Sequence, residues 1–143
     1  MRGDLELHMV HEFNGSYAVV GILCEVDNFA TSAFFDNLMA SYGVSGMIDP
    51  TSLLESVDTT KYYSYDGSFT TPPCTEGVKW NVIADTCKLP KDFYEWTQTF
   101  HSMQSNYREI EPLNDRTITV MDSHGILIDF IYLLLRLGLE ISF

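Results

Sequence analysis

A carboxylate and an imidazole stand two residues apart near the start of the chain. Glu6 and His8 lie in the stretch from Leu5 to His11, where apolar and polar residues alternate. Because a strand has a period of two residues, Glu6, His8 and Val10 share one face of a predicted strand, and His11 lies on the other. A carboxylate beside an imidazole fixes its tautomer, as it does for zinc-bound histidines. The spacing alone is also typical of an ordinary polar strand face, since catalytic zinc usually takes three protein ligands.

Two adjacent hydroxyls form a second candidate. Thr70 and Thr71 stand in the segment from Ser68 to Pro73, directly before two prolines. Each proline fixes its own φ and restricts the residue before it, which predicts a stiff loop. Hydroxyls on such a loop could orient a small anion or a metal-bound hydroxide. Considered alone, the loop is equally typical of a turn rich in threonine and proline.

The composition limits the classes of partner. The chain has 143 residues, and 20 acidic residues against 8 Lys and Arg give a formal net charge of −12. This length fits one domain. The negative charge repels nucleic acids and anionic lipid, so we expect no nucleic-acid partner. No feature of the sequence identifies a protein partner.

The elements predicted around these candidates are mainly strands. Alternating or β-branched segments predict strands over residues 5–11, 17–26, 62–65, 78–84 and 117–121. Apolar residues at helical spacing predict a helix capped by Asn28 and stopped by Gly43, and a second over residues 91–101. This pattern indicates a mainly β (α+β) fold.

The last residues are far more apolar than the rest. Residues 126–143 raise the hypothesis of a membrane helix, but they contain Asp129 and Arg136. Each charge costs about 2.5–3.5 kcal/mol near a helix centre, whereas about ten apolar residues return only about 0.3–0.6 kcal/mol each. We therefore expect no span, but a packed helix or strand, or a tail foreign to the domain. The predicted division is a domain over residues 1–121 and an apolar tail over residues 122–143.

Three segments in order resemble the α-class carbonic anhydrases. Residues 62–80 resemble the signature of that family, and residues 6–11 resemble the strand that carries its third zinc ligand. Residues 106–116 resemble the closing segment of the same domain. The resemblance implies the family's fold, a large twisted and mostly antiparallel sheet with peripheral helices.

The resemblance also implies a chemistry, the reversible hydration of carbon dioxide to bicarbonate by zinc-bound hydroxide. His8 matches a zinc ligand, Glu6 matches the carboxylate that holds that ligand, and Thr70 matches the hydroxyl that orients the zinc hydroxide. Phe69 replaces the usual leucine, which narrows the carbon dioxide pocket. The matched pocket residues are Val10, Val19, Phe69, Thr71, Val78 and Trp80, and Tyr65 matches a tyrosine of the supporting polar network.

The sequence departs from the family at the metal site. The family's first two zinc histidines lie on the strand before this one, which implies an N-terminally truncated domain with one zinc ligand of three. His11, His101 and His124 match no ligand position. We therefore expect weak or no Zn2+ binding and no activity from this chain alone, with exposed sheet edges. The alternative is a non-catalytic carbonic-anhydrase-like binding module.

The three cysteines are an odd number, so at least one stays unpaired within the chain. By resemblance, Cys74 matches a cysteine that pairs near the N-terminus of the domain in secreted members, which suggests secreted or membrane-bound relatives. The start of the chain has no apolar signal segment, which favours a cytosolic protein. The pairing of Cys24, Cys74 and Cys87 therefore stays open, as does the localisation.

Overall fold

The computed structural model describes residues 3–43, 48–100 and 106–122, and the backbone of residues 140–142. These residues are mostly strands with a few short helices, which confirms the predicted fold class. The helices are α1 (Ala33–Ala40), α2 (Thr51–Leu54) and α3 (Lys91–Thr97). The strands are β1 (Leu5–Phe13), β2 (Ser16–Asp27), β3 (Lys61–Ser68), β4 (Glu76–Ile83), β5 (Cys87–Pro90), β6 (Thr119–Asp122) and β7 (Glu140–Ser142).

The described strands form one mixed sheet in the order β6-β3-β4-β2-β1-β7, with β5 also paired to β2. β1 and β2 are an antiparallel hairpin whose turn residues, Asn14 and Gly15, both have positive φ. Such turns match the right-handed twist of the flanking strands. β2 pairs in parallel with β4 and with β5, whereas the other described pairs are antiparallel. The sheet is therefore mostly antiparallel.

The alternation of β1 separates two faces of the sheet. Leu7, Met9 and His11 are buried, whereas Glu6 and His8 lie on the opposite face. The helices cover the Leu7 face and form the main core with it. In that core the rings of Phe35 and Phe93 lie 4.6 Å apart. Among the described residues, the Glu6 face carries a smaller buried cluster of Val19, Val78 and Trp80, and two cavities lie on this face.

Several predicted boundaries are wrong. α1 begins at Ala33 with Ser32 as its N-cap, later than the Asn28 cap predicts. The cause is local, because the carboxylate of Asp27 accepts a 2.8 Å hydrogen bond from the backbone N–H of Phe29 and forms a turn there. α3 ends at Thr97, since the following backbone bonds include i→i+3 bonds such as that from Thr99 N to the Trp96 carbonyl.

The structure also decides the cysteine pairing. Cys24 forms a disulfide with Cys87, and Cys74 is a free thiol. Cys24 and Cys87 are directly opposite in the parallel pairing of β2 with β5. The sequence left this pairing open because β5, at four residues, is too short to show a strand period.

The apolar tail is described only at Glu140–Ser142, which pairs antiparallel with β1 so that Ser142 lies opposite His8. The rest of the tail prediction falls on residues 123–139 and 143, outside the described part. Within the described part, no helix has the length and apolar character that crossing a bilayer requires.

Candidate metal half-site

Glu6 and His8 are neighbours on the open face of β1. The Nε2 atom of His8 lies 3.3 Å from Oε1 of Glu6. Nε2 is shielded from solvent and makes no hydrogen bond to the described residues. The His8 ring meets the indole of Trp80 edge to face, with 4.8 Å between ring centroids. Because Nε2 faces the carboxylate and the ring is held by the indole, Nδ1 is the nitrogen left for a ligand.

The strand and the hydroxyl-bearing loop meet at one cavity of about 280 Å³. His8 from β1 and Thr70 and Thr71 from the loop line it together. The remaining lining residues are apolar or aromatic: Val10, Tyr17, Val19, Phe69 and Trp80. Residues separated by about sixty positions in the sequence thus share one concave surface, as the resemblance implies.

A larger open cavity of about 1100 Å³ shares His8, Thr70 and Trp80 with the first. Glu6 and Tyr65 line this second cavity. Val78 lines neither cavity but belongs to one buried cluster with Val19 and Trp80, which do. All ten sequence-predicted site residues therefore lie on the same side of the sheet.

The loop after β3 is held by backbone hydrogen bonds. The Phe69 N–H donates to the Thr75 carbonyl at 3.0 Å, and the Cys74 N–H donates to the Thr71 carbonyl at 2.8 Å. The indole Nε1–H of Trp80 donates to the Ser68 carbonyl at 2.9 Å. Thr70 and Thr71 therefore project from a loop whose two ends are closed on each other.

Tyr65 stacks on Trp80, with ring centroids 6.3 Å apart and planes at 7°. Burial, and then the negative charge of Glu6, raise the pKa of the Tyr65 hydroxyl, against a smaller opposing effect of Arg116. Tyr65 therefore keeps its proton at neutral pH and presents a hydrogen-bond donor or acceptor beside Glu6.

His11 lies away from the site. Its side chain is 4% exposed and packs on the core side of β1. Burial lowers its pKa, and the backbone of Ala18 and Met9 opposes that effect. This placement confirms that His11 and His8 face opposite sides of the sheet. The predictions for His101 and His124 fall outside the described residues.

Two arginines, Arg108 and Arg116, line the larger cavity although their sequence pattern predicted no role for either. Arg108 donates from Nη1 to the Ser68 hydroxyl at 2.6 Å, and Arg116 donates from Nη2 to the Pro112 carbonyl at 2.7 Å. Both line the cavity that contains Glu6. The sequence signal that could have indicated these two arginines is the small number of cationic residues in a strongly acidic chain.

The described residues do not by themselves fit a catalytic zinc. Such a site takes three protein ligands and one water. Among the residues with described side chains, no group of three or more His, Cys, Asp and Glu could hold a metal ion. They offer one imidazole, that of His8, with the carboxylate of Glu6 beside it.

The mixed sheet and the cavity lined by His8 and Thr70 agree with one known class of protein. Residues 2–122 match the family described as eukaryotic-type carbonic anhydrase. The chain belongs to the α-class carbonic anhydrase family.

Its relatives include carbonic anhydrase 6 of Bos taurus, 33% identical over 144 residues that cover 82% of this chain and 45% of the relative. Alpha carbonic anhydrase 7 of Arabidopsis thaliana is 36% identical over 129 residues, covering 82% of this chain and 46% of the relative. The chain thus spans somewhat less than half the length of these relatives.

Solved structures of similar fold include members of the same family. The Photobacterium profundum alpha-carbonic anhydrase has a TM-score of 0.67 at 34% identity, over 79% of this chain and 54% of that one. Dioscorin, solved in complex with ascorbate, has a TM-score of 0.66 at 27% identity, over 82% of this chain and 52% of that one.

Proposed function

We propose that this chain supplies the carboxy-terminal part of a zinc-dependent α-carbonic anhydrase domain, which hydrates carbon dioxide reversibly to bicarbonate. The remaining metal ligands come from polypeptide outside these 143 residues, and the chain alone is inactive. One observation carries the proposal: His8, with Glu6 3.3 Å from its Nε2, lines the same cavity as Thr70.

In this proposal Glu6 sets the tautomer of His8. The nearby carboxylate favours the tautomer with its proton on Nε2, so Nδ1 carries the lone pair that a metal ion needs. Trp80 limits rotation of the ring by its edge-to-face contact. His8 is then a ligand that is oriented before any metal arrives.

Thr70 and the apolar residues of the smaller cavity have different roles in this proposal. In the complete domain the Thr70 hydroxyl would orient the attacking oxygen, and Val10, Val19 and Phe69 would form the apolar wall beside which carbon dioxide binds. A volume of about 280 Å³ suits a small apolar substrate. Because the described residues offer one metal ligand, no catalytic step is assigned to this chain by itself.

The proposal includes a division of the chain, which the same comparisons support. Residues 1–121 form the partial carbonic anhydrase domain, and residues 122–143 are an apolar segment whose Glu140–Ser142 pairs with β1. The end of the family match at residue 122 supports this boundary. The coverage of 45% of the Bos taurus relative supports a partial domain.

A non-catalytic binding module is the second candidate. The lack of a three-ligand group among the described side chains favours it. However, a binding surface does not require a carboxylate-supported imidazole and a threonine hydroxyl at one cavity. The joint presence of Glu6, His8 and Thr70 therefore favours the catalytic proposal.

The test compares this chain with a chimera. The chimera joins the part of the Photobacterium profundum enzyme that this chain does not match to residues 1–122 of this chain. After dialysis, we expect less than stoichiometric zinc and no carbon dioxide hydration from the chain alone. We expect about one zinc per molecule and measurable hydration from the chimera.

Two variants make the comparison specific. In the chimera, His8→Ala should remove zinc and hydration, whereas Glu25→Gln, an exposed change on β2, should leave both unchanged. A folded chimera without zinc would reject the catalytic proposal and favour the binding module. Stoichiometric zinc with turnover in the chain alone would reject the incomplete site.

A further inference from the structure

Arg108 contacts the start of the loop that follows β3 and carries Thr70 and Thr71, which is called the hydroxyl-bearing loop. Its Nη1 donates a 2.6 Å hydrogen bond to Oγ of Ser68, a residue 40 positions earlier in the sequence. Ser68 is the last residue of β3, and Phe69, Thr70 and Thr71 follow it directly. A hydrogen bond to Ser68 therefore restrains the residue from which the loop starts.

The Ser68 hydroxyl links Arg108 to the next residue of the loop, Phe69. Its hydroxyl donates to the Phe69 carbonyl at 3.0 Å while it accepts from Arg108. Its own carbonyl accepts from the indole of Trp80. The pairing of β3 with β4 shifts register between Gly67 and Ser68, so Ser68 pairs with Glu76 across an irregularity rather than within a regular ladder. The side-chain hydrogen bonds at Ser68 add to the backbone bond between Phe69 and Thr75 where the loop begins.

Arg108 is itself held in place. Its Nη2 lies 2.9 Å from Oε1 of Glu111, and its side chain is about one third exposed. Arg116, from the same segment, donates to the Asp66 carbonyl at 3.4 Å, on the other side of the register shift. A guanidinium held by a carboxylate loses less rotational freedom when it binds a second acceptor.

We propose that Arg108 is a positioning residue, which fixes the loop through Ser68 so that Thr70 stays at the cavity that contains His8. The importance of this position for catalysis rests on the proposed function. The anchoring of the loop does not depend on zinc or on turnover.

Cys74 provides a direct measurement, because it is the free thiol at the far end of this loop and is only partly exposed. We would measure its alkylation rate by iodoacetamide without reductant, and hydrogen exchange of the loop amides, in this chain. Arg108→Met should raise the alkylation rate about tenfold, the factor expected from losing one hydrogen bond to a charged group. Arg108→Lys, which keeps a donor, should restore part of the protection.

A double-mutant cycle separates the contact from general destabilisation. Ser68→Ala removes the acceptor and keeps the carbonyl that Trp80 binds, so Ser68→Ala with Arg108→Met should loosen the loop no more than either change alone. Lys79→Met is the matched control, because it removes an exposed cation that pairs with Asp66 and does not touch Ser68. If the two effects simply multiply, or if Lys79→Met has the same effect, Arg108 does not act through Ser68. If Arg108→Met fails to fold, Arg108→Lys and Ser68→Ala complete the comparison.

The chimera tests the catalytic consequence. There Arg108→Met should lower kcat at unchanged zinc content, and an unchanged kcat with a loosened loop would overturn the positioning role. A chimera that binds no zinc would count against the proposed function. The alkylation and hydrogen-exchange measurements on this chain would still test whether Arg108 anchors the loop.

Discussion

His8 and Glu6 face each other along one strand, with Nε2 of the imidazole 3.3 Å from Oε1 of the carboxylate. Neighbouring positions of a strand point to opposite faces, so a spacing of two is the shortest that brings two side chains together on one face. The carboxylate therefore lies beside Nε2, and Nδ1 is the ring nitrogen that does not face it.

Removing the charge of Glu6 should weaken metal binding. In the chimera, Glu6→Gln should lower zinc affinity about 10–100-fold, the usual cost of losing the partner of a metal-bound histidine. Competition with a chromophoric chelator measures this affinity. Glu25→Gln is the control, because Glu25 is exposed and lines neither cavity. Equal affinities for Glu6→Gln and the unchanged chimera would show that the carboxylate does not support the ligand.

His11 should make stability depend on pH. Burial lowers its pKa in the folded chain, whereas an unfolded histidine titrates at about 6.5. The unfolded state therefore binds the proton first, and the free energy of unfolding should fall as pH drops below about 6.5. The contribution of this one group is at most about 1.4 kcal/mol per pH unit.

Urea melts between pH 7.5 and 5 measure this dependence. His11→Leu should show a smaller loss of stability over this range than the unchanged chain. His8→Asn serves as the comparison, because it removes a histidine from the open face. An unchanged pH dependence in His11→Leu would show that another group is responsible.

The disulfide between Cys24 and Cys87 should contribute strongly to stability. It closes a loop of 63 residues, for which the chain-entropy relation gives about 4 kcal/mol. Dithiothreitol, or the Cys87→Ala change, should lower the urea midpoint accordingly, whereas Cys74→Ala should not. A thiol count on the denatured chain should give one free thiol before reduction and three after it. Three thiols before reduction would contradict the pairing.

The apolar side chains of β6, which is the terminal strand of the sheet among the described residues, should promote self-association. All four residues of β6 are exposed, and Val120 has 65% of its surface accessible. A strand at the end of a sheet can pair with another chain, and a lysine on such a strand opposes this. Val120→Lys should raise the monomer fraction measured by light scattering at constant protein concentration. Phe29→Lys is the control, since Phe29 is 94% exposed but lies outside the strands. An equal gain from both changes would indicate a general effect of charge.

The candidate site was largely predictable because its parts are local patterns. The alternation around His8 and the threonine-proline loop can each be read within ten residues. The resemblance supplied their order, and the structure places them at one cavity. Arg108 escaped prediction because its partner, Ser68, is 40 positions away and no local pattern connects them.

The sequence by itself determined the face of β1 that carries Glu6 and His8, the stiff loop and the family, because strand period, proline geometry and family motifs are properties of neighbouring residues. Only the tertiary structure decided that Cys24 pairs with Cys87, that α1 begins at Ala33, and that Arg108 holds Ser68. These three outcomes depend on sheet register, on a competing side-chain turn and on a long-range hydrogen bond. Each is fixed by distances in space that the order of residues does not specify.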